Sequence, residues 1–328
     1  MTRIDVSATP ELLALLFTPS QLEALRSLGD LHLHLDPERL AAELAGVDLD
    51  VMITSWATPP LATWAPGRRP RLIAHTGGTL RPILGDGGVP EGCAVSQASA
   101  AMADGVAELA LAMCLVLLRE LHTFDRALRD PDGGPAIGGL HGRELAHRRI
   151  GVIGASRTGR SFISMVRGLG AARVRVADPY LGAEDAAALG VGSADLRDLL
   201  AWSEVLVLHA PVTAETIGML GAAELALLPD GAVVVNTARA ALVEEAALVA
   251  EALSGRLRFG LDVLHREPLP EDSPLRGLPN VYLSPHRGAA TVEARERQGQ
   301  ITVDEIARFV AGDRLQHAID PAVYARLS

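Results

Sequence analysis

Short apolar segments alternate with helix-like stretches in the first hundred residues. Residues 31–35 alternate apolar and polar side chains as a half-buried strand does, and residues 51–55 and 71–75 are short apolar runs. Thr76-Gly-Gly-Thr predicts a loop after the last of these runs. Strands separated by helix-length segments indicate a parallel βαβ architecture.

A second series of strands begins near residue 150. Apolar, β-branched runs occupy residues 150–154, 173–178, 205–209, 232–236, 259–263 and 281–284. Such runs, spaced by helical segments, predict a doubly wound sheet.

Between the two series, residues 106–128 predict one long helix, and the proline- and glycine-rich residues 131–139 predict a crossing between domains. The last helix, at residues 292–311, is expected to return to the first domain. We therefore predict two Rossmann-like or flavodoxin-like doubly wound α/β domains. The first is formed by residues 1–112 and 297–328, and the second, 113–296, is inserted into it.

Composition excludes several classes of function. The chain has 30 basic and 40 acidic residues and a net charge of −10, which argues against general nucleic-acid binding but leaves room for a local basic pocket. Every basic residue is arginine, so lysine chemistry is excluded. Apolar runs stay shorter than the roughly 20 residues of a membrane span. The start of the chain lacks the pattern of a signal peptide. With only two cysteines, a reduced, cytoplasmic setting is expected.

Neither the cysteines nor the histidines indicate a special site. Cys93 and Cys114 are two thiols in a long chain and indicate buried hydrophobic residues rather than a disulfide scaffold. The histidines form no HExxH pattern and the cysteines no CxxC pair, so we expect no metal site.

A candidate dinucleotide site follows the first strand of the second series. Gly154-Ala-Ser-Arg-Thr-Gly159 fits the G-x-G-x-x-G turn except that Ser156 replaces the second glycine. Ser156, Arg157 and Thr158 are therefore candidate phosphate-binding residues. Asp178 ends the next strand, where a carboxylate binds the adenosine ribose and favours NAD over NADP, although Arg175 leaves room for NADP. The alternative is that Asp178-Pro179 simply begins a turn.

Three residues beyond strand ends suit the reduction of a 2-keto acid. Such a reaction needs a cation for the carboxylate and carbonyl oxygen, a proton donor, and a carboxylate that orients the donor. Arg239, Glu267 and His286 each follow a predicted strand and supply those groups. Taken singly, each has an ordinary alternative as a solvated or structural side chain.

Several motifs in fixed order resemble the D-isomer-specific 2-hydroxyacid dehydrogenase family, most closely over residues 140–300. They are Gly142-Arg-Glu-Leu, the run from Ile150 to Arg160, Leu208-His-Ala-Pro-Val-Thr with Thr216, Asn236-Thr-Ala-Arg, Gly260-Leu-Asp-Val with Glu267-Pro, and the run from Leu278 to Thr291.

The resemblance implies roles for these residues. Arg239 would bind the substrate carboxylate and carbonyl, His286 would be the acid/base and Glu267 its partner. Implied contacts with the cofactor involve His209, Ala210, Pro211, Thr216, Thr237, Ala238, Asp262 and Gly288. It also implies a small 2-keto or D-2-hydroxy acid as substrate, NAD as cofactor and a homodimer.

The substrate loop implied by the resemblance departs from the family pattern. The candidate substrate-binding residues are His75, Gly77, Gly78, Thr79 and Arg81, where relatives carry a different end to this motif. Met102 stands where an asparagine is usual, and Ala240 stands where a glycine is usual. Arg81 suggests a second anionic group on the substrate, with a purely structural arginine as the alternative.

Two other functions remain open at this point. A formate- or phosphite-type dehydrogenase shares the fold, although formate oxidation is typical of a glutamine at the position of Glu267. An NAD-sensing interaction protein of the same fold would keep the cofactor site without the turnover.

Overall fold

The computed structural model describes residues 1–130 and 141–326, which form two compact units. The strands are β1 Arg3–Ser7, β2 Asp30–His34, β3 Val51–Thr54, β4 Leu72–His75, β5 Ala94–Gln97, β6 Ile150–Ile153, β7 Val174–Ala177, β8 Gly192–Ser193, β9 Val205–Leu208, β10 Val233–Asn236, β11 Arg258–Leu261 and β12 Val281–Leu283. The helices are α1 Pro10–Leu16, α2 Pro19–Leu28, α3 Leu40–Glu43, α4 Arg81–Leu84, α5 Ala103–Leu118, α6 Leu121–Arg129, α7 Arg157–Gly168, α8 Ala183–Leu189, α9 Leu196–Trp202, α10 Ala222–Leu225, α11 Glu245–Ser254 and α12 Val292–Ala311.

The first unit comprises residues 1–102 and 290–328. Its parallel sheet has the order β2-β1-β3-β4-β5, the flavodoxin-like order. Apolar residues of α1, α2 and α12 pack on one face, and those of α3 and α4 pack on the other. Strands β1 and β5 are absent from the sequence prediction, because Arg3 and Asp5 interrupt the apolar pattern of β1, and polar Ser96 and Gln97 make up half of β5.

The second unit comprises residues 103–289 and carries a parallel sheet of order β12-β11-β10-β9-β6-β7-β8. The order reverses between β6 and β9, the point at which doubly wound sheets bind ligands. Two apolar clusters cover its faces. The predicted two-domain doubly wound α/β class is confirmed. The short edge strand β8 escapes prediction because only two residues pair.

The predicted single helix over residues 106–128 is wrong. The structure forms α5 and α6, separated at Glu120, whose backbone takes a left-handed conformation with φ of 56°. The buried Glu120 carboxylate forms an ion pair with Arg258, and that pairing holds the break in place. The predicted crossing at residues 131–139 lies outside the described residues.

Residues 99–118 are long and apolar enough to span a membrane by composition. Helix α5, which makes up most of this segment, packs on α7, β10 and β11. Cys114 lies on this helix, and burial raises its pKa to about 12. Burial likewise raises the pKa of Cys93 to about 11, so both residues remain protonated thiols.

A buried network at the edge of the first sheet makes a pH-dependent contribution to stability. The ring nitrogens of His34 lie 2.8 Å from Asp5 Oδ1 and 2.7 Å from Glu43 Oε2. The hydrogen bond with Asp5 raises the pKa of His34 against the effect of burial, and Glu43 raises it further. When protonated, the imidazole of His34 thus lies between two carboxylates, those of Asp5 and Glu43. Arg3 also donates to Asp5.

We expect the melting temperature to fall as the pH rises above the unfolded value of 6.5 and through the raised folded pKa of His34. The stabilisation is complete below the unfolded value of 6.5 and is lost as the folded imidazole deprotonates. Thermal unfolding of His34→Gln against the wild type measures this contribution. Equal pH slopes for the two proteins would contradict it.

Candidate catalytic and cofactor-binding site

The catalytic and cofactor candidates of the second unit follow the carboxyl ends of its strands. Gly154 follows β6, Asp178 follows β7 and His209 follows β9. The turn 237–239 follows β10, and Asp262 follows β11. Because all paired strands run parallel, their carboxyl ends lie at one edge of the sheet.

Glu267 and His286 form a direct pair. His286 Nδ1 lies 2.9 Å from Glu267 Oε2, and Glu267 Oε1 accepts a hydrogen bond from the Leu264 amide at 2.9 Å. The backbone therefore fixes the carboxylate, and the carboxylate fixes the imidazole. A proton on Nδ1 donates to Glu267, which leaves Nε2 on the other edge of the half-exposed ring for proton exchange.

Asp262 holds the backbone that carries His286. Its two oxygens each accept a hydrogen bond at 2.8 Å, from the Arg287 and Gly288 amides. His286 adopts a left-handed backbone with φ of 57°, a conformation that costs about 1–3 kcal/mol for a residue with a side chain. A Cβ at Gly288 would lie 3.0 Å from Asp262 Oδ2, so glycine permits this close approach. A direct contact of Asp262 with the nicotinamide or ribose stays a prediction.

Sequence reasoning missed this bracing role of Asp262, and it also missed Asn236. Asn236 accepts from the Ala238 amide at 3.0 Å and donates to the Arg239 carbonyl at 2.8 Å. The side chain thus closes the turn that presents Arg239. Asparagine at a strand end is a signal for such a turn.

Arg239 and Glu267 interact through their charges. Burial lowers the pKa of Arg239, and the charge of Glu267 partly offsets that effect. Burial alone would raise the pKa of Glu267, but hydrogen bonds from His286 and the Leu264 amide outweigh it, so its pKa is lowered. The structure therefore brings the three catalytic candidates into one charge-coupled group in the second unit.

The glycine-rich turn is packed too tightly for larger residues. Gly154 has φ of 94°, and a Cβ there would lie 2.7 Å from the Ala210 nitrogen. A Cβ at Gly159 would lie 2.1 Å from the Gly154 carbonyl oxygen. Ser156 caps α7 by accepting from the Gly159 amide at 3.3 Å, which explains how a serine fits the position of the second glycine. Arg157 and Thr158 form the first turn of α7.

Asp178 connects the second strand to this turn. Its Oδ2 accepts from the Ala155 amide at 2.6 Å, and its Oδ1 accepts from the Tyr180 amide at 2.8 Å. The carboxylate thus lies beside the glycine-rich turn, as the dinucleotide-binding pattern requires.

The remaining cofactor candidates differ in their contacts. The His209 ring is buried against Phe162, and burial lowers its pKa to about 3, so it is a neutral packing group. Thr216 donates to the Pro211 carbonyl at 2.7 Å and closes the loop after β9. Thr237 Oγ1 is buried and has no hydrogen-bond partner among residues 1–130 and 141–326. Ala210 and Ala238 contribute small side chains beside these positions.

The substrate-loop candidates belong to the first unit. His75 Nδ1 lies 3.0 Å from Thr54 Oγ1, and burial lowers the pKa of His75 to about 4. A Cβ at Gly77 would lie 2.7 Å from His75 Nε2, so a neutral imidazole lies beneath the loop. Thr79 and Gly78 follow it, with Gly78 close to Met102. Arg81 begins α4 and is exposed.

Replacing Asp262 with asparagine should lower the free energy of unfolding by about 1–3 kcal/mol, because the single oxygen of an amide group replaces two oxygens that each accept from a backbone N–H group. Chemical denaturation measures the loss, and hydrogen exchange at Gly288 should accelerate. The exposed Asp272→Asn is the matched control. An Asp262→Asn variant as stable as that control would contradict the bracing role.

The turn and its surroundings fit a dinucleotide. Such a cofactor uses four features found here. They are a glycine cradle that a Cβ would fill, the start of the twelve-residue helix α7, a carboxylate after β7, and the buried hydroxyl of Thr237 that lacks a partner among the described residues. In the described parts of the chain, no group of three or more His, Cys, Asp or Glu residues is placed to hold a metal ion.

Comparisons with known proteins agree with this geometry. Residues 111–288 match the family model of the D-isomer specific 2-hydroxyacid dehydrogenase NAD-binding domain. The chain is 32% identical over 286 residues to D-3-phosphoglycerate dehydrogenase of Mycobacterium bovis, covering 87% of this chain and 53% of that protein. It is 31% identical over 231 residues to glyoxylate reductase of Thermococcus litoralis, covering 68% of each.

A solved structure shows the same fold. The glyoxylate reductase from Paecilomyes thermophila superposes with a TM-score of 0.82 at 25% identity, over 97% of this chain and 98% of that one. The chain spans about half the length of the D-3-phosphoglycerate dehydrogenases it matches. The match to the family model covers more than half of the chain, and it includes the turn 154–159, Arg239, Glu267 and His286. The chain therefore belongs to the D-isomer-specific 2-hydroxyacid dehydrogenase family, and residues 111–288 form its NAD-binding domain.

Proposed function

We propose that the protein is an NAD(H)-dependent oxidoreductase that interconverts a small 2-keto acid and the matching D-2-hydroxy acid. The observation that carries the proposal is the His286–Glu267 pair at 2.9 Å, with the charge of Arg239 acting on the same carboxylate. A proton donor, its orienting carboxylate and a cation are the groups that carbonyl reduction requires.

Some of the candidate cofactor residues would make polar contacts with NAD, and others would only line its binding site. We propose that the turn from Gly154 to Gly159 binds the pyrophosphate, that Asp178 binds the adenosine ribose, and that Thr237 gains a hydrogen-bond partner when NAD binds. NAD supplies or accepts the hydride. The alanine and proline side chains after β9 would line the cofactor without polar contacts.

In the direction of reduction, His286 donates a proton from Nε2 to the carbonyl oxygen. Glu267 keeps the opposite ring nitrogen protonated and stabilises the imidazolium. Arg239 binds the carboxylate and the carbonyl oxygen through its planar fork, and this polarises the carbon that accepts hydride. The partial burial of Arg239 strengthens those contacts, because a poorly hydrated cation loses less water on binding.

The loop of residues 75–81 is the proposed substrate-binding segment of the first unit. Gly77 and Gly78 place no side chain over the backbone amides that would bind a carboxylate. The exposed Arg81 would bind a second anionic group, and its charge also acts on the neighbouring Tyr324. Similarity to proteins named for D-3-phosphoglycerate supports an acid with a second anion. We also propose that the protein is a homodimer in the cytoplasm.

A steady-state assay of NADH oxidation tests this function. The panel contains glyoxylate, pyruvate, hydroxypyruvate and phosphohydroxypyruvate, and parallel reactions contain NAD with formate or phosphite. We expect turnover with at least one keto acid and none with formate or phosphite. Turnover of formate or phosphite alone would identify a different dehydrogenase, and cofactor binding without any turnover would identify an NAD-sensing protein.

The same panel tests the second anion. Arg81→Ala should lose the preference for phosphohydroxypyruvate over pyruvate while leaving pyruvate kinetics nearly unchanged. An unchanged preference would assign Arg81 a structural role.

A further inference from the structure

We propose that Gln298 of α12 is a positioning residue for the substrate loop, and that Arg295, stacked on Trp56, holds Gln298 in place. The inference rests on the proposed function, because it assigns the loop of residues 75–81 to substrate binding. All of these residues belong to the first unit.

Gln298 is fully buried, and both ends of its amide are used. Its Nε2 donates to the Thr76 carbonyl at 2.7 Å, and its Oε1 accepts from Arg295 Nη1 at 2.8 Å. A buried amide with both ends bonded has one orientation, since the flipped amide would set donor against donor.

The hydrogen bond from Gln298 to the Thr76 carbonyl also fixes the direction of the Gly77 N–H. The Thr76 C=O and the Gly77 N–H belong to one planar trans peptide and point in opposite directions. Gln298 draws the carbonyl toward α12, so the Gly77 N–H is held on the opposite side of the chain. That N–H is one of the loop amides assigned to the substrate. Gln298 therefore sets the direction of a donor that it does not touch.

Arg295 extends the chain of contacts to the surface. Its guanidinium carbon lies 4.5 Å from the centre of the Trp56 ring, within the range of a cation–π contact. Trp56 lies two residues past the end of β3, and the substrate loop follows the neighbouring parallel strand β4. The two segments thus lie at the same edge of the sheet. Trp56 is half exposed, so its stacking on Arg295 orients Gln298 from outside the core.

The experiment compares Gln298→Leu with Gln300→Leu, a control on the same helix whose exposed glutamine donates to Asp304 and accepts a long bond of 3.4 Å from Gln21, away from the substrate loop. Both are assayed in the complete protein with the best keto acid of the panel. For Gln298→Leu we expect KM to rise by about tenfold, roughly the effect of one lost hydrogen bond, with kcat changing less than about threefold. The Kd for NADH should not change.

Arg295→Met gives a second reading should Gln298→Leu fold poorly. It keeps the bulk of the side chain and removes both the stacking charge and the bond to Gln298, so KM should rise by a smaller factor. Trp56→Ala should also raise KM. Trp56→Phe keeps an aromatic face and should bring KM most of the way back to the wild-type value. Hydrogen exchange of the amides in residues 76–81 should accelerate in the variants with raised KM.

The outcomes separate the two claims. A wild type that reduces no keto acid would overturn the proposed function, and this inference with it. An active wild type with equal KM for Gln298→Leu, Arg295→Met and the control would overturn the positioning role alone. Faster exchange with unchanged KM would do the same, because the loop would then be loosened without any effect on substrate.

Discussion

Replacing His286 with alanine is expected to lower kcat for keto-acid reduction by about 10²–10⁴-fold, the usual worth of a positioned general acid. Nε2 of this imidazole is the proposed proton donor, and Glu267 already binds the other ring nitrogen. Because the imidazole is half exposed and alanine keeps the same backbone requirement, the variant should still fold, which circular dichroism checks. Steady-state kinetics at saturating keto acid measures the loss.

His265→Ala is the matched control for this prediction, since His265 is exposed two residues before Glu267. Its kcat should stay near that of the wild type. Glu267→Gln should fall between the two, because a neutral amide can still orient the ring but cannot stabilise its cation. A His286→Ala variant with wild-type kcat would remove the imidazole from the reaction.

Arg239→Ala is the second large effect, with kcat/KM expected to fall by about 10²–10³-fold. The variant loses the fork that binds carboxylate and carbonyl oxygen together. It also leaves Glu267 without the neighbouring positive charge that helps to lower its pKa. Most of the loss should appear in KM, with a smaller decrease in kcat.

The control for Arg239 is Arg266→Ala, an exposed arginine in the loop that carries Glu267. It changes the net charge equally but leaves the turn after β10 intact. If both variants lost kcat/KM to the same small degree, bulk charge rather than a fixed contact would explain the effect. The proposed role of Arg239 would then fail.

The sequence predicted the parts of the fold that repeat a simple pattern. Most strands of the second unit are apolar runs ended by polar residues, and Arg239, Glu267 and His286 could be placed beyond strand ends for that reason alone. The pairing of Glu267 with His286 is implied by the family resemblance, and the parallel pairing of β11 with β12 brings the two strand ends side by side.

Other features depend on contacts between distant residues, which periodicity does not record. The break between α5 and α6 rests on Glu120 pairing with Arg258 across the unit, while the apolar pattern runs on past it. Asp262 follows a strand as a cofactor ligand would, yet both of its oxygens bind backbone amides near His286. The bond from Gln298 to Thr76 joins residues 222 apart in the chain.

In the proposed reaction, C2 of a 2-keto acid receives hydride from NADH while His286 supplies the proton. A single-turnover reaction with NADH deuterated at the transferable position, followed by chiral analysis of the product, tests that claim most directly. We expect deuterium at C2 of the D-2-hydroxy acid, and very slow transfer in His286→Ala. Formation of the L-acid, or product without deuterium at C2, would contradict it.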